Sequence, residues 1–94
     1  MKITIEERQL IFKMRSEVTH IKMNYKGMYE NFQCEVCNEE DETQEHILKC
    51  KILNKEESEN VEYSKIKNGN IIEMVKVARK FKKNLEIREK YLKQ

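Results

Sequence analysis

The 94-residue sequence predicts a mainly α-helical fold, a small domain with a Cys3His knuckle set between an N-terminal helix and a long C-terminal helix. Three observations predict it. There is no proline and there are only two glycines, so little in the chain interrupts helices. Apolar residues recur at three- and four-residue spacing toward both ends. Between them, all three cysteines and one of the two histidines fall within 17 residues as Cys34-x2-Cys37-x8-His46-x3-Cys50.

The N-terminal helix region, residues 1–27, opens with Thr4-Ile5-Glu6-Glu7. This is a capping box, in which the Thr4 hydroxyl and the Glu7 carboxylate satisfy reciprocal backbone donors. Leu10, Ile11, Met14, Val18 and Ile21 follow along one face, and the helix is expected to end between Lys22 and Gly27. Tyr25, Tyr29 and Phe32 recur at helical intervals before the first cysteine. They read as shielding for a metal and filling for a small core, or as surfaces on which unpaired bases stack. Nothing around His20 suggests a ligand or a base.

The knuckle spans residues 32–53. Two residues between Cys34 and Cys37 allow a tight turn that aims both sulfurs at one point. His46 and Cys50, four apart, share one face of a helix expected over Thr43 to Leu53, with Thr43 as its N-cap. Three thiolates and an imidazole fill all four corners of a tetrahedron, which fits one structural Zn2+ and leaves no open position for catalysis. The other readings of the cysteines are a disulfide with one thiol left over, a redox Cys-x-x-Cys outside its usual βαβ setting, and plain core packing. A core-poor chain gains most from the metal, since roughly 10–16 kcal/mol of apparent binding energy can organise a knuckle.

A polar connector, Asn54 to Asn60, follows, and then Val61 to Ile66, whose alternation is too short to read as a strand. Asn68-Gly69-Asn70 signals a turn. The basic C-terminal helix, residues 70–93, is expected to be regular from Ile71 to Leu92, about 33 Å long. Its apolar stripe is Ile71, Val75, Ala78, Phe81, Leu85 and Leu92, interrupted by Arg88.

Charge is strongly segregated. Residues 1–34 carry a net +2, residues 35–62 a net −7 and residues 63–94 a net +7. The acidic knuckle is therefore a poor phosphate cradle, and the last helix is the better candidate. Lys76, Arg79, Lys80 and Lys83 share a face by the i, i+3, i+4, i+7 rule, with Lys13 and Arg15 as further cations on the first helix. Such a ridge reads as a phosphate contact for RNA or DNA, or as a solvated face that keeps the chain soluble. A different class of function is protein–protein: the last helix's stripe also suits a homodimer or a helical partner. No nucleophile–base pair, phosphate loop or catalytic carboxylate pair is visible, so an enzyme is not expected. No apolar run approaches the roughly 18 residues of a membrane span, and no signal peptide is apparent. An intracellular setting, nuclear or cytoplasmic, is expected for reduced thiols.

The run Phe32-x-Cys34-x2-Cys37-x4-Glu42-Thr43-Gln44-Glu45-His46-Ile47-Leu48-Lys49-Cys50 resembles the zinc knuckle at the C-terminal end of non-LTR (LINE-type) retrotransposon reverse transcriptases, most nearly those of arthropod-type elements. Leu10 to Ser16, Asn24 to Tyr29, Tyr63-x2-Ile66 and Ile87 to Lys90 resemble the segments flanking that knuckle. The resemblance implies a nucleic-acid-binding appendage that helps engage template RNA or target DNA. The chain departs from the family pattern in three ways. It has no room for a polymerase palm or an endonuclease. Glu35 stands where a proline often follows the first cysteine. The His-to-Cys gap is three where many relatives have four.

Overall fold

The computed structural model describes residues 2–19, 33–54 and 61–93. Four helices lie among them: α1 (Ile5–Arg15), α2 (Gln44–Lys49), α3 (Lys65–Asn68) and α4 (Ile71–Leu92). The knuckle stands between α1 and α4 as expected, and among the described residues the only β pairing is an isolated antiparallel bridge between Gln33 and Asp41. The long helix is the hub, packing against each of the other three.

Local sequence accounts for the starts of α1, α2 and α4. Thr4 caps α1: its Oγ1 accepts the Glu7 N–H at 3.0 Å while Glu7 Oε1 accepts the Thr4 N–H at 2.9 Å. Asn70 and Glu73 form the same reciprocal pair at the start of α4, at 2.9 and 3.0 Å. The Thr43 hydroxyl accepts the His46 N–H at 2.9 Å and starts α2.

Two helix ends fall earlier than expected. α1 stops at Arg15, well before Lys22. Glu17 takes a left-handed conformation (φ 56°), and the bonds Glu17 N–H to Met14 O (3.2 Å) and Val18 N–H to Lys13 O (3.0 Å) close a Schellman motif. Glycine is the usual residue at that position, so a glutamate there gives the sequence reader no stop signal. α2 ends at Lys49, and Cys50 bends away with ψ 125°. The carbonyls that this exposes are collected by side chains. Asn54 Nδ2 donates to Leu48 O (3.0 Å) and Cys50 O (2.7 Å), and Asn84 Nδ2 of α4 donates to Ile47 O (2.8 Å). Residues Lys65–Asn68 form the short α3, which the sequence did not reveal.

The core gathers Ile11 and Met14 of α1, Val36, Ile47, Leu48 and Leu53 of the knuckle, Ile66 of α3, and Val75, Val77, Ala78 and Phe81 of α4. Covered by several elements at once, α4 buries a wider arc than a single stripe. Val77 and Asn84 are buried, whereas Ile71 and Leu92, expected in the stripe, are exposed at the helix ends. Val75, Ala78 and Phe81 are consumed inside the chain, so they do not form an outward dimer seam. Val18 is likewise exposed.

A buried Gln44 ties three elements together. Its Nε2 donates to Met14 O (2.9 Å) and to the Tyr63 hydroxyl (2.7 Å), and its Oε1 accepts from Thr19 Oγ1 (2.6 Å). This holds the knuckle helix against the end of α1. At the other end of α1, Arg79 of α4 pairs with the buried Glu7 and also donates to Lys2 O (3.4 Å). The Arg79 guanidinium, with the Thr4 N–H, holds the Glu7 carboxyl down at about 2, so Glu7 keeps its charge through the neutral range. No helix among the described residues is long and apolar enough to cross a membrane. The expected readings at His20, Ile21, Tyr25, Tyr29, Phe32 and residues 55–60 lie outside the described residues.

Candidate metal centre

The first half of the site is a turn. The Asn38 N–H bonds Cys34 O at 2.8 Å, and Asn38 closes the turn in the left-handed region (φ 57°), which asparagine tolerates. The Cys34 N–H then meets Glu40 O at 2.7 Å, and the Gln33–Asp41 bridge flanks it, so the turn is held from both sides. The amides inside the turn point at sulfur: those of Val36 and Cys37 toward Cys34, and those of Glu39 and Glu40 toward Cys37. The second half is α2 and its end, where His46 and Cys50 sit one turn apart and the Cys50 N–H bonds His46 O at 2.7 Å.

The two halves converge. One ligand atom from each of Cys34, Cys37, His46 and Cys50 lies within 4.8 Å of the others. A tetrahedral ion with metal–sulfur bonds near 2.3 Å would set sulfurs about 3.8 Å apart and a sulfur and an imidazole nitrogen about 3.5 Å apart. The Cys37 Sγ to His46 Nε2 distance is 3.3 Å, close to that separation. Cys34 and Cys50 are fully buried and His46 nearly so, leaving Cys37 as the ligand at the rim.

The protonation chemistry agrees with a metal-ligating role. Nδ1 of His46 lies 2.9 Å from Glu40 Oε2. A carboxylate there requires the N–H on Nδ1, which leaves the Nε2 lone pair facing the sulfurs. At Cys37, burial opposes ionisation, but the Glu39 and Glu40 amides, His46 and Cys34 outweigh it and bring the thiol down to about 7. Burial dominates at Cys34 and pushes that thiol up to about 11, a cost that a cation beside it would remove. Three sulfurs and a nitrogen, all from protein, can hold one metal ion and cross-link the turn to α2; they leave no vacant coordination position.

The acidic run behind the turn is exposed from Glu39 to Asp41 and buried at Glu42. Glu40 orients the histidine, and Glu42 is completely buried, with its Oε1 3.2 Å from Arg88 Nη2 of α4. Sequence reasoning missed both. Two signals were present: a metal-ligating histidine needs a partner on its other nitrogen, and Arg88 interrupts an otherwise apolar face. The ion pair Lys51–Glu39 (3.2 Å) crosses the outer surface of the knuckle.

The cations read from sequence are not all equivalent. Arg79 is committed to Glu7, and its neighbour Lys82 to Glu6 at 3.1 Å. Lys80 is half-buried, while Lys76 and Lys83 are exposed on α4, Lys83 beside Arg79 and Glu86. Lys13 and Arg15 are exposed on α1, Lys13 lining the groove between α1 and Leu85 of α4. The structure therefore brings the four metal ligands to one point but spreads the cations over two helices. Comparison with family models, curated proteins and solved structures returns no match.

Proposed function

We propose that the chain is a zinc-stabilised nucleic-acid-binding domain, a counterpart of the C-terminal knuckle of non-LTR retrotransposon reverse transcriptases. The observation that carries the metal half is the convergence of four protein ligand atoms within 4.8 Å. A set of three sulfurs and one nitrogen selects Zn2+ over hard cations such as Mg2+ or Ca2+, which take oxygen ligands. The ion supplies folding energy: Cys34 and Cys37 fix the turn, His46 and Cys50 fix α2, and Glu42 and Asn84 carry that fixed geometry to α4.

Nucleic acid is engaged through phosphates by Lys76, Lys80 and Lys83 of α4 and by Lys13 and Arg15 of α1, with Arg79 mainly holding α1 in place. Among the described residues, the side chains of Lys13, Arg15 and Lys76 make no ion pair within the chain, which supports their use on an external anion. Net +7 over residues 63–94 favours the same partner. With four to six phosphate contacts, log affinity falls against log salt with a slope of about −3 to −5. A flat salt response, or no binding to any RNA or DNA by the metal-loaded protein, would remove the nucleic-acid reading while leaving the metal site standing.

A further inference from the structure

We infer that the outward face of α1, centred on Phe12, is a stacking platform for an unpaired base of single-stranded nucleic acid; this rests on the nucleic-acid reading above. Phe12 is 70% exposed although α1 packs Ile11 and Met14 inward, and Ile5, two turns earlier on the same side, is 73% exposed. On a helix surface Phe12 is flanked by Arg8, four residues before, and Arg15, three after; Lys13 lies further round the helix, on the side of the groove with Leu85. All three cations are exposed.

The acids of this region are used elsewhere. Glu6 pairs with Lys82, Glu7 with Arg79, and Glu17 with Lys67 at 3.8 Å. Among the described residues no ion pair forms at Arg8, Lys13 or Arg15. The result is an aromatic ring flanked by two uncompensated cations, Arg8 and Arg15, about 10 Å apart along the axis. That is the chemistry of a single strand: cations that track phosphates around a π-face on which any base stacks. A duplex keeps its base faces internal and offers Phe12 nothing to stack on. A second copy docked symmetrically through Phe12 would set like charges against one another.

The test uses the metal-loaded full chain with a fluorescein-labelled oligothymidine, alone and in duplex with oligoadenine. Phe12→Ala should weaken single-strand binding about 5- to 150-fold, leave duplex binding unchanged, and keep metal content and helical signal. Phe12→Trp should restore single-strand binding. Arg8→Ala with Arg15→Ala should flatten the single-strand salt slope by about 1.4. Three results overturn the inference alone: a wild-type protein that binds but is indifferent to Phe12→Ala, equal losses on single strand and duplex, or a dimer in sedimentation that Phe12→Ala dissolves. Absence of binding to either probe overturns the nucleic-acid reading with it.

Discussion

Replacing Arg88 with alanine should cost far more than the loss of an ordinary surface ion pair. Glu42 is fully buried, and the Arg88 guanidinium, itself 14% exposed, approaches it to 3.2 Å. At an effective dielectric of about 20, unit charges at that distance attract by about 5 kcal/mol, much of it offset by the desolvation of both groups. The pair's net worth is therefore modest, but removing one member strands the other in the interior. Arg88→Ala should destabilise the metal-loaded domain by about 3 kcal/mol, or roughly 12–24 °C in melting temperature for a chain of this size. Urea denaturation followed by circular dichroism measures it, with metal content checked in each sample. Glu42→Met combined with Arg88→Leu should return to within about 1 kcal/mol of wild type, because two apolar side chains replace the pair without leaving a buried charge. A cycle built from Arg88→Leu, Glu42→Met and the double variant should then give a coupling above about 2 kcal/mol. If Arg88→Ala alone stays within about 0.5 kcal/mol of wild type, the pair does not anchor α4 to the knuckle and the reasoning fails.

Glu40→Ala should weaken the metal about 10- to 100-fold with little change in fold, since the carboxylate orients His46 without ligating; competition with a chromogenic chelator reads it. Glu17→Gly should stabilise by about 1 kcal/mol, because glycine carries no left-handed penalty; a raised urea midpoint is the sign of it, and a fall would show that the weak 3.8 Å contact with Lys67 matters more. Metal affinity should climb with pH. Ligands bind deprotonated, and the ion-free Cys34 thiol sits at about 11 while Cys37 sits at about 7. Between pH 7 and 9 Cys37 goes from about half to almost wholly ionised, and Cys34 must still lose its proton. Log apparent affinity should therefore rise by about one or more per pH unit, measured by chelator competition across that range.

What could be read from sequence was whatever depends on near neighbours. The capping box at Thr4/Glu7 and the N-cap at Thr43 each span four residues, and the bounds Ile71 and Leu92 of α4 follow from a turn signal and an unbroken run of helix formers. The ligand set was legible because its chemistry is specified by residue type and spacing. What escaped is long-range or conformational. Nothing beside Glu42 announces a partner 46 residues away at Arg88, so an acid in a polar run reads as solvated. Asn84 and Val77 are buried because α2 and α3 cover flanks of α4 that a one-stripe reading assigns to solvent. The end of α1 escaped for a local reason, since glutamate seldom occupies the left-handed position that closes a Schellman motif. On α4, Arg79 shares a face with the other cations by periodicity, but only its packing against α1 commits it to Glu7.

The most direct measurement for the central claim is titration of the reduced protein with Co2+, followed by displacement with Zn2+, recorded in the visible spectrum. Four protein ligands closing on one ion predict an intense tetrahedral cobalt spectrum with thiolate character, saturation at one equivalent, and complete bleaching by one equivalent of zinc. A weak octahedral spectrum, no saturation, or a Cys37→Ser variant that binds as well as wild type would contradict it.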